Sequence, residues 1–93
     1  MQILEIEVEN LVIAWAEDHG WLCPKLQWLN QTGWPDRTFL KNGKVVWIEF
    51  KRPKKGRREP KQIYWNGRIR RQGCNAHFVK TVEEGIELLK SYE

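Results

Sequence analysis

Several features are scarce in this sequence, and each scarcity argues against a class of protein. No apolar run approaches the roughly 18 residues of a membrane-spanning helix, and residues 1–20 contain no Lys or Arg with which a secretory signal could begin. The two cysteines, Cys23 and Cys74, are far apart and belong to no CxxC or Cys/His cluster, which argues against a zinc site or a disulfide framework. We therefore expect an intracellular protein without a membrane segment.

The chain has the composition of one small folded domain, but its charge is distributed unevenly. Of its 93 residues, 41% are hydrophobic and 30% are charged, so we interpret residues 1–93 as a single domain. Residues 1–20 carry five acids and no base, whereas residues 51–71 carry ten bases and one acid, within a chain of net charge +4. A block of net charge +9 creates a directed positive field. Nucleic acid is therefore the first candidate for a partner.

Hydrophobic periodicity and turn residues predict an α/β protein with the element order α-β-β-β-α-β-α. Asn42-Gly43 lies between two apolar stretches and is a strong hairpin signal. The stretch from Trp21 to Leu29 contains Pro24, which an edge strand tolerates, so we predict a short first strand there. The other predicted elements are a helix over 4–19 that ends before Gly20, strands over 37–40 and 45–50, a helix from Pro60 towards Gly73, a strand over 76–80 and a helix capped by Thr81 or its neighbour.

The hairpin is predicted to place two carboxylates side by side. With Asn42-Gly43 as a two-residue turn, the numbers of paired residues add up to 85, so Asp36 lies opposite Glu49. Directly opposed strand residues have Cβ atoms roughly 5 Å apart, and two like charges at that distance destabilise a sheet unless something neutralises them. A divalent cation does so, since one or two carboxylates are the usual protein ligands of Mg²⁺. We therefore predict a metal site at Asp36 and Glu49.

Lys51 is the next candidate, because strand alternation places it on the same side of the sheet as Glu49. The opposite side of this strand is apolar and is predicted to face the core, with the side chains of Val46, Ile48 and Phe50. An ammonium two residues from a metal-binding carboxylate can orient an attacking water or stabilise the charge that develops on a phosphate. We therefore interpret the side that carries Glu49 and Lys51 as the working side.

A third acid and a neutral polar residue complete the candidate site. Glu5 precedes Val8 by three residues, on or near the helix face that packs against the sheet. Glu9 borders the same face one turn later, so Glu5 is our first choice for the third acid and Glu9 our second. Gln62 lies just inside the helix that follows the basic segment, where its amide could hold the water, the metal shell or Lys51.

The basic segment is predicted to bind the phosphate backbone of a nucleic acid. Its candidate contact residues are Arg52, Lys54, Lys55, Arg57, Arg58, Lys61, Arg68, Arg70 and Arg71. Six tryptophans are many for so short a chain, and a domain of this size has a limited interior, so we expect some of them to face a partner. For Trp34 and Trp65, stacking on unpaired bases is one interpretation, and packing or a dimer contact is the favoured one.

Taken together, these residues resemble the motifs of a nuclease family. Gly33-Trp34-Pro35-Asp36-Arg37, then Glu49-Phe50-Lys51 after a hairpin, then Gly56 and Gln62, are similar to the VRR-NUC branch of the PD-(D/E)xK nucleases. The resemblance extends over nearly the whole chain. It implies a restriction-endonuclease-like core, in which helices flank a central mixed sheet. It also implies an endodeoxyribonuclease that hydrolyses phosphodiester bonds with Mg²⁺ or Mn²⁺ and without an organic cofactor.

The resemblance further implies residue roles and a substrate. The residues concerned are Asp36, Glu49, the backbone carbonyl of Phe50 and either Glu5 or Glu9 for the metal, and Lys51 and Gln62, with Glu5, for catalysis. Small stand-alone members resemble structure-selective nucleases that act as homodimers on branched DNA, including four-way (Holliday) junctions. A cytoplasmic protein of a bacterial or phage-infected cell is the expected setting. The alternative is a non-catalytic nucleic-acid-binding module that retains the nuclease fold.

Overall fold

The computed structural model describes residues 4–26, 28–51 and 59–93. This part of the chain forms a mixed α/β structure, so the predicted fold class is confirmed. Its helices and strands, in chain order, are α1 (Glu5–Asp18), β1 (Arg37–Lys41), β2 (Lys44–Phe50), α2 (Pro60–Arg71), β3 (Asn75–Val79) and α3 (Val82–Ser91). None of these helices has the length and apolarity that a membrane crossing needs.

The three strands form one sheet in the order β1-β2-β3, with β1 antiparallel and β3 parallel to the central β2. Asn42 and Gly43 join β1 to β2 with φ values of 49° and 78°. Positive φ at both central residues is the signature of the type I′ turn that suits a two-residue hairpin. The pairing runs from Lys41 opposite Lys44 to Arg37 opposite Ile48. The predicted register is therefore confirmed, and its continuation brings Asp36 beside Glu49.

The prediction of a strand over 21–29 is wrong, because the described part of this stretch forms only an isolated bridge to β1. In that part, Leu22 forms a single antiparallel bridge with Leu40, with N–H···O distances of 2.9 and 2.8 Å. The Thr38 N–H then donates to the Pro24 carbonyl at 3.2 Å. Proline has no N–H to donate in return, so the ladder stops after this contact. The observed order is therefore α-β-β-α-β-α, with 21–26 as an irregular edge beside β1.

The hydrophobic core lies between one face of the sheet and the helices α1 and α3. Its buried residues include Val8, Val12, Ala16, Phe39, Val46, Ile48, Phe50, Val79 and Leu89. The side of β2 that was predicted to face the core does so, since each of its apolar side chains is 0% exposed. On α1 the buried stripe passes through residues spaced by four. Leu11, three residues after Val8, lies off this stripe and is 52% exposed.

The helices α2 and α3 begin where the sequence predicts. Pro60 occupies the first turn of α2, where its missing N–H costs no hydrogen bond. Thr81 caps α3, because its Oγ1 accepts a hydrogen bond from the Glu84 N–H at 3.1 Å. In the chain, α2 lies between β2 and β3. It is therefore part of the crossover that two parallel neighbouring strands require.

Gly85→Ala is expected to destabilise the contact between α1 and α3. A Cβ at Gly85 would lie 2.7 Å from Cγ2 of the fully buried Val12, so the helices must move apart or repack. We expect the free energy of unfolding, measured in urea, to fall by about 1–3 kcal/mol. Gly67→Ala on α2 is the matched control, because its Cβ would meet nothing within 4 Å and alanine favours a helix by up to about 1 kcal/mol. Equal stability of the two variants would contradict this packing.

Candidate active site

Asp36 and Glu49 form a carboxyl pair at the end of the β1–β2 hairpin. The Phe50 N–H donates to Oδ2 of Asp36 at 3.0 Å, which holds the Asp36 side chain against β2 just before β1 begins. Glu49 is only 3% exposed, and its carboxyl group is near enough to that of Asp36 for the two charges to interact. Two ionised carboxylates in such a position repel each other. The hairpin therefore brings together two acids that cannot both be charged without compensation.

The pKa of Glu49 is raised from its ordinary value of 4.5 to about 9. Burial is the largest cause, followed by the charge and the polar side chain of the neighbouring Asp36. The positive charge of Lys51 opposes the rise, and the negative charge of Glu5 adds to it. A carboxyl so strongly perturbed, with a specific charged neighbour, is a physical mark of a functional site.

Lys51 and Gln62 both contact the same oxygen of Glu49. The Lys51 ammonium lies 3.9 Å from Oε2 of Glu49, and Lys51 is itself only 6% exposed. Nε2 of Gln62 donates to that Oε2 at 2.8 Å, while Oε1 of Gln62 accepts the Glu59 N–H at 3.2 Å. Because each end of the amide has a partner, its orientation is defined. Gln62 thus ties the first turn of α2 to the carboxyl pair.

The two candidates for the third acid have different surroundings. Glu9 is buried and forms an ion pair with Arg37, with its Oε2 3.1 Å from Nε and 2.9 Å from Nη2. Arg37 also donates to the Cys23 carbonyl at 3.1 Å, which fixes the pair in place. Glu5 is half-buried, and its charge reaches Glu49. Glu5 therefore lies within electrostatic reach of Glu49, whereas Glu9 is engaged by Arg37.

The donor groups at the pair fit a divalent metal. Oε1 of Glu49 is buried and accepts no hydrogen bond from another described residue, so it lacks the compensation that a buried charge requires. The Phe50 N–H points to Asp36, and the carbonyl of a strand residue points the same way as its N–H. Within 4–26, 28–51 and 59–93, no three His, Cys, Asp or Glu side chains cluster as a metal site. Two carboxylates and a carbonyl, completed by water and phosphate, match Mg²⁺.

The side of the sheet that carries Glu49 is covered, which the sequence analysis missed. Four tryptophans form a cluster over it, with ring centroids 4.9–6.1 Å apart; they are Trp28, Trp34, Trp47 and Trp65. Trp34 contacts Trp47 of β2 directly, at 6.1 Å between centroids. Packing, the favoured interpretation of Trp34 and Trp65, therefore describes their contacts here. The cluster thus packs on the side of β2 that carries Trp47, and strand alternation places Glu49 on that same side.

Gly33 sets the approach of the loop before Asp36 to the start of α2. Its φ is +90°, and a Cβ there would lie 2.6 Å from the carbonyl carbon of Lys61 and 2.7 Å from the carbonyl oxygen. Only glycine permits both this conformation and this contact. The glycine thereby lets the loop that carries Asp36 pack directly on the helix turn that carries Gln62.

The predicted phosphate-binding residues are only partly described. Arg52, Lys54, Lys55, Arg57 and Arg58 lie outside the described residues. Lys61, Arg68, Arg70 and Arg71 are exposed on α2. Arg68 donates to the Tyr64 hydroxyl at 2.8 Å and lies 5.7 Å from the Trp65 ring centroid. Burial and then the charge of Arg70 lower the pKa of His77. Arg68 thus lies beside Tyr64 and Trp65, whereas Arg70 lies near His77. The role of these arginines in binding phosphate stays a prediction.

Two solved structures share this architecture. One, named "VRR_NUC domain", is 26% identical in sequence with a TM-score of 0.86, and the match covers 96% of this chain and 97% of that one. Another, named "VRR_NUC domain protein", is 17% identical with a TM-score of 0.83, over 99% of this chain and 89% of that one. No family model matches the sequence, and no curated protein matches it either.

The fold and its neighbours define a nuclease-type domain of mixed α/β architecture. The fold is that of the VRR-NUC family, and the resemblance seen in the sequence is confirmed at that level. Because the match with the more similar structure extends over nearly all of both chains, it includes the strands beside Asp36 and Glu49.

Proposed function

We propose that this protein is a Mg²⁺- or Mn²⁺-dependent DNA endonuclease that hydrolyses phosphodiester bonds. The observation that carries the proposal is the carboxyl pair of Asp36 and the buried Glu49, with Lys51 and Gln62 on one oxygen of Glu49. A buried acid whose pKa is raised by burial and by a neighbouring carboxylate is typical of a functional site. The nuclease-type fold of the neighbouring structures supports the same conclusion.

The roles of the residues follow from their contacts. Asp36 and Glu49, with the Phe50 carbonyl and Glu5, would hold the metal. Bound there, a divalent metal supplies charge neutralisation at the phosphate and lowers the pKa of a coordinated water. The Lys51 side chain lies beside the carboxyl pair, where it can orient the attacking water and stabilise the charge that develops on the phosphate. Gln62 is a positioning residue, since it fixes the Glu49 carboxyl through Oε2.

Cleavage assays with different DNA forms test the proposal most directly. Purified protein is incubated with plasmid, flap and four-way-junction DNA, each with Mg²⁺, Mn²⁺ or EDTA. We expect cleavage with either metal and none with EDTA. If no DNA is cut with either metal while DNA binding persists, the protein is instead a binding module that retains the nuclease fold.

We extend the proposal to branched DNA, such as four-way (Holliday) junctions, as the preferred substrate. Contacts to phosphates carry no base information, so a basic protein that binds the backbone must select DNA by its shape. Paired cuts across a symmetric junction need two active sites, which a homodimer provides. Sedimentation of the protein with and without a junction measures its stoichiometry. A single protomer on a junction that is cut on both strands would contradict the dimer.

Gly33→Ala is expected to impair cleavage by displacing Asp36 from the start of α2. Its Cβ would overlap the Lys61 backbone, and a shift of about 1 Å in a reacting group costs up to about 100-fold in rate. Gly43→Ala is the matched control, because Gly43 also has a positive φ of 78° but meets nothing within 4 Å. That variant should keep cleavage and lose about 1–2 kcal/mol of stability. Equal cleavage by the two variants would contradict the importance of this contact.

A further inference from the structure

A cavity of about 350 Å³ opens beside the carboxyl pair. Its lining includes Trp28, Asn30, Gln31, Trp34 and Asp36, and we call it the tryptophan cleft. Binding sites for small molecules have volumes of about 300–1,000 Å³, so this cleft has room for one nucleoside and is far too small for a duplex. Because Asp36 belongs to the lining, an occupant lies next to the candidate metal site.

Trp28, an exposed ring of the cleft, packs against two other tryptophans. The Trp28 ring centroid lies 5.3 Å from that of Trp34 and 4.9 Å from that of Trp65, yet 47% of Trp28 is exposed. Trp65 in turn packs against the Arg68 guanidinium, 5.7 Å from its ring centroid. A tryptophan that others hold in place loses little freedom when a ligand stacks on it. Every nucleobase offers a flat face for such stacking.

The polar groups of the cleft complement a nucleotide. The side chains of Asn30 and Gln31 each carry hydrogen-bond donors and an acceptor, which is what the edge of a base requires. Lys25, which also lines the cleft, supplies a positive charge for a phosphate. All three side chains are exposed, so they can reach a ligand.

We propose that the tryptophan cleft receives an unpaired nucleobase from the DNA strand beside the scissile phosphate. The inference rests on the proposed nuclease function and narrows its substrate to DNA that offers an unpaired base next to the cut, such as a flap or an opened branch point. A base within a duplex must first leave its stack and its partner, which costs free energy. The cleft therefore selects against fully paired DNA.

A binding experiment in EDTA tests the cleft without cleavage. Two DNAs of the same sequence carry 2-aminopurine at one position, which is unpaired in the first DNA and paired in the second. We expect the protein to bind the first DNA more tightly, by fluorescence anisotropy, and to quench its 2-aminopurine through stacking on Trp28. Trp28→Ala should weaken binding to the unpaired DNA by roughly 5- to 30-fold, with little change for the paired DNA. Trp28→Phe should retain most of the preference.

Tyr64→Ala is the matched control for the loss of an aromatic ring. Tyr64 is 50% exposed and contacts the same Trp65, at 5.1 Å between ring centroids, but it does not line the cleft. This variant should keep the preference for unpaired DNA. Equal loss of affinity for both DNAs in Trp28→Ala would overturn the proposal. So would unchanged 2-aminopurine fluorescence with the wild-type protein, a result that does not depend on any variant folding.

The two proposals can fail separately. If the wild-type protein prefers and quenches unpaired DNA but cuts nothing with Mg²⁺ or Mn²⁺, the cleft is supported and the nuclease activity is not. If the protein cuts DNA but binds paired and unpaired positions equally, the nuclease is supported and the cleft is overturned.

Discussion

Glu49→Gln is expected to abolish cleavage without destabilising the fold. Because the pKa of Glu49 is about 9, its carboxyl group is protonated at neutral pH without metal, and a neutral amide of the same shape can replace it. The amide lacks the negative charge that a divalent cation requires. We expect the cleavage rate to fall by at least about 100- to 1,000-fold. In EDTA and above about pH 4.5, urea unfolding should show the variant to be more stable than the wild type, because only the wild type must take up a proton at Glu49 when it folds.

Glu9→Gln is the matched comparison, and we expect the opposite result from it. Glu9 pairs with Arg37, so its neutralisation leaves a partly buried guanidinium without its counter-charge. We expect a loss of about 1.5–3 kcal/mol in urea unfolding and cleavage close to that of the wild type under conditions in which the protein is folded. Cleavage by Glu49→Gln near the wild-type rate would contradict the site. Loss of cleavage in a stable Glu9→Gln protein would make Glu9 the third acid.

The parts of the site that the sequence predicted well depend on local geometry. A two-residue turn at Asn42-Gly43 leaves one register for the hairpin, and that register alone brings Asp36 beside Glu49. Strand alternation then determines which side carries Lys51. The start of α2 at Pro60 follows from proline's preference for a first helical turn. Each of these signals acts over a few residues, so the sequence displays it directly.

The parts that the sequence missed depend on contacts between distant segments. The ion pair of Glu9 with Arg37 spans 28 residues, so periodicity within α1 could not separate Glu9 from Glu5 as the third acid. Stretch 21–29 has apolar residues typical of a strand, but the carbonyl of Pro24 accepts a hydrogen bond that its nitrogen cannot return. The tryptophan cluster joins three separate segments of the chain. The number of tryptophans led us to expect that some face a partner, and their sequence positions did not reveal this arrangement.

In the metal-free protein, stability is expected to fall as the pH rises. The pKa of Glu49 is about 9 in the folded protein, against an ordinary value of 4.5. Between these values the folded chain holds a proton that the unfolded chain has released, so higher pH favours unfolding. The stabilisation is complete below about 4.5 and is lost as the pH rises through about 9. The slope contributed by one such group is at most about 1.4 kcal/mol per pH unit.

A divalent metal is expected to cancel this slope, because metal and proton compete for the same carboxylate. Urea unfolding is measured in EDTA and in excess Mg²⁺ across this pH range, for the wild type and for Glu49→Gln. Other titrating groups are present in both proteins, including His77, whose lowered pKa acts in the opposite direction. The difference between the two proteins therefore isolates Glu49. In EDTA that difference should decline with rising pH, and in Mg²⁺ it should grow in favour of the wild type. Identical pH profiles of the two proteins in both solutions would show that Glu49 neither holds the proton nor binds the metal.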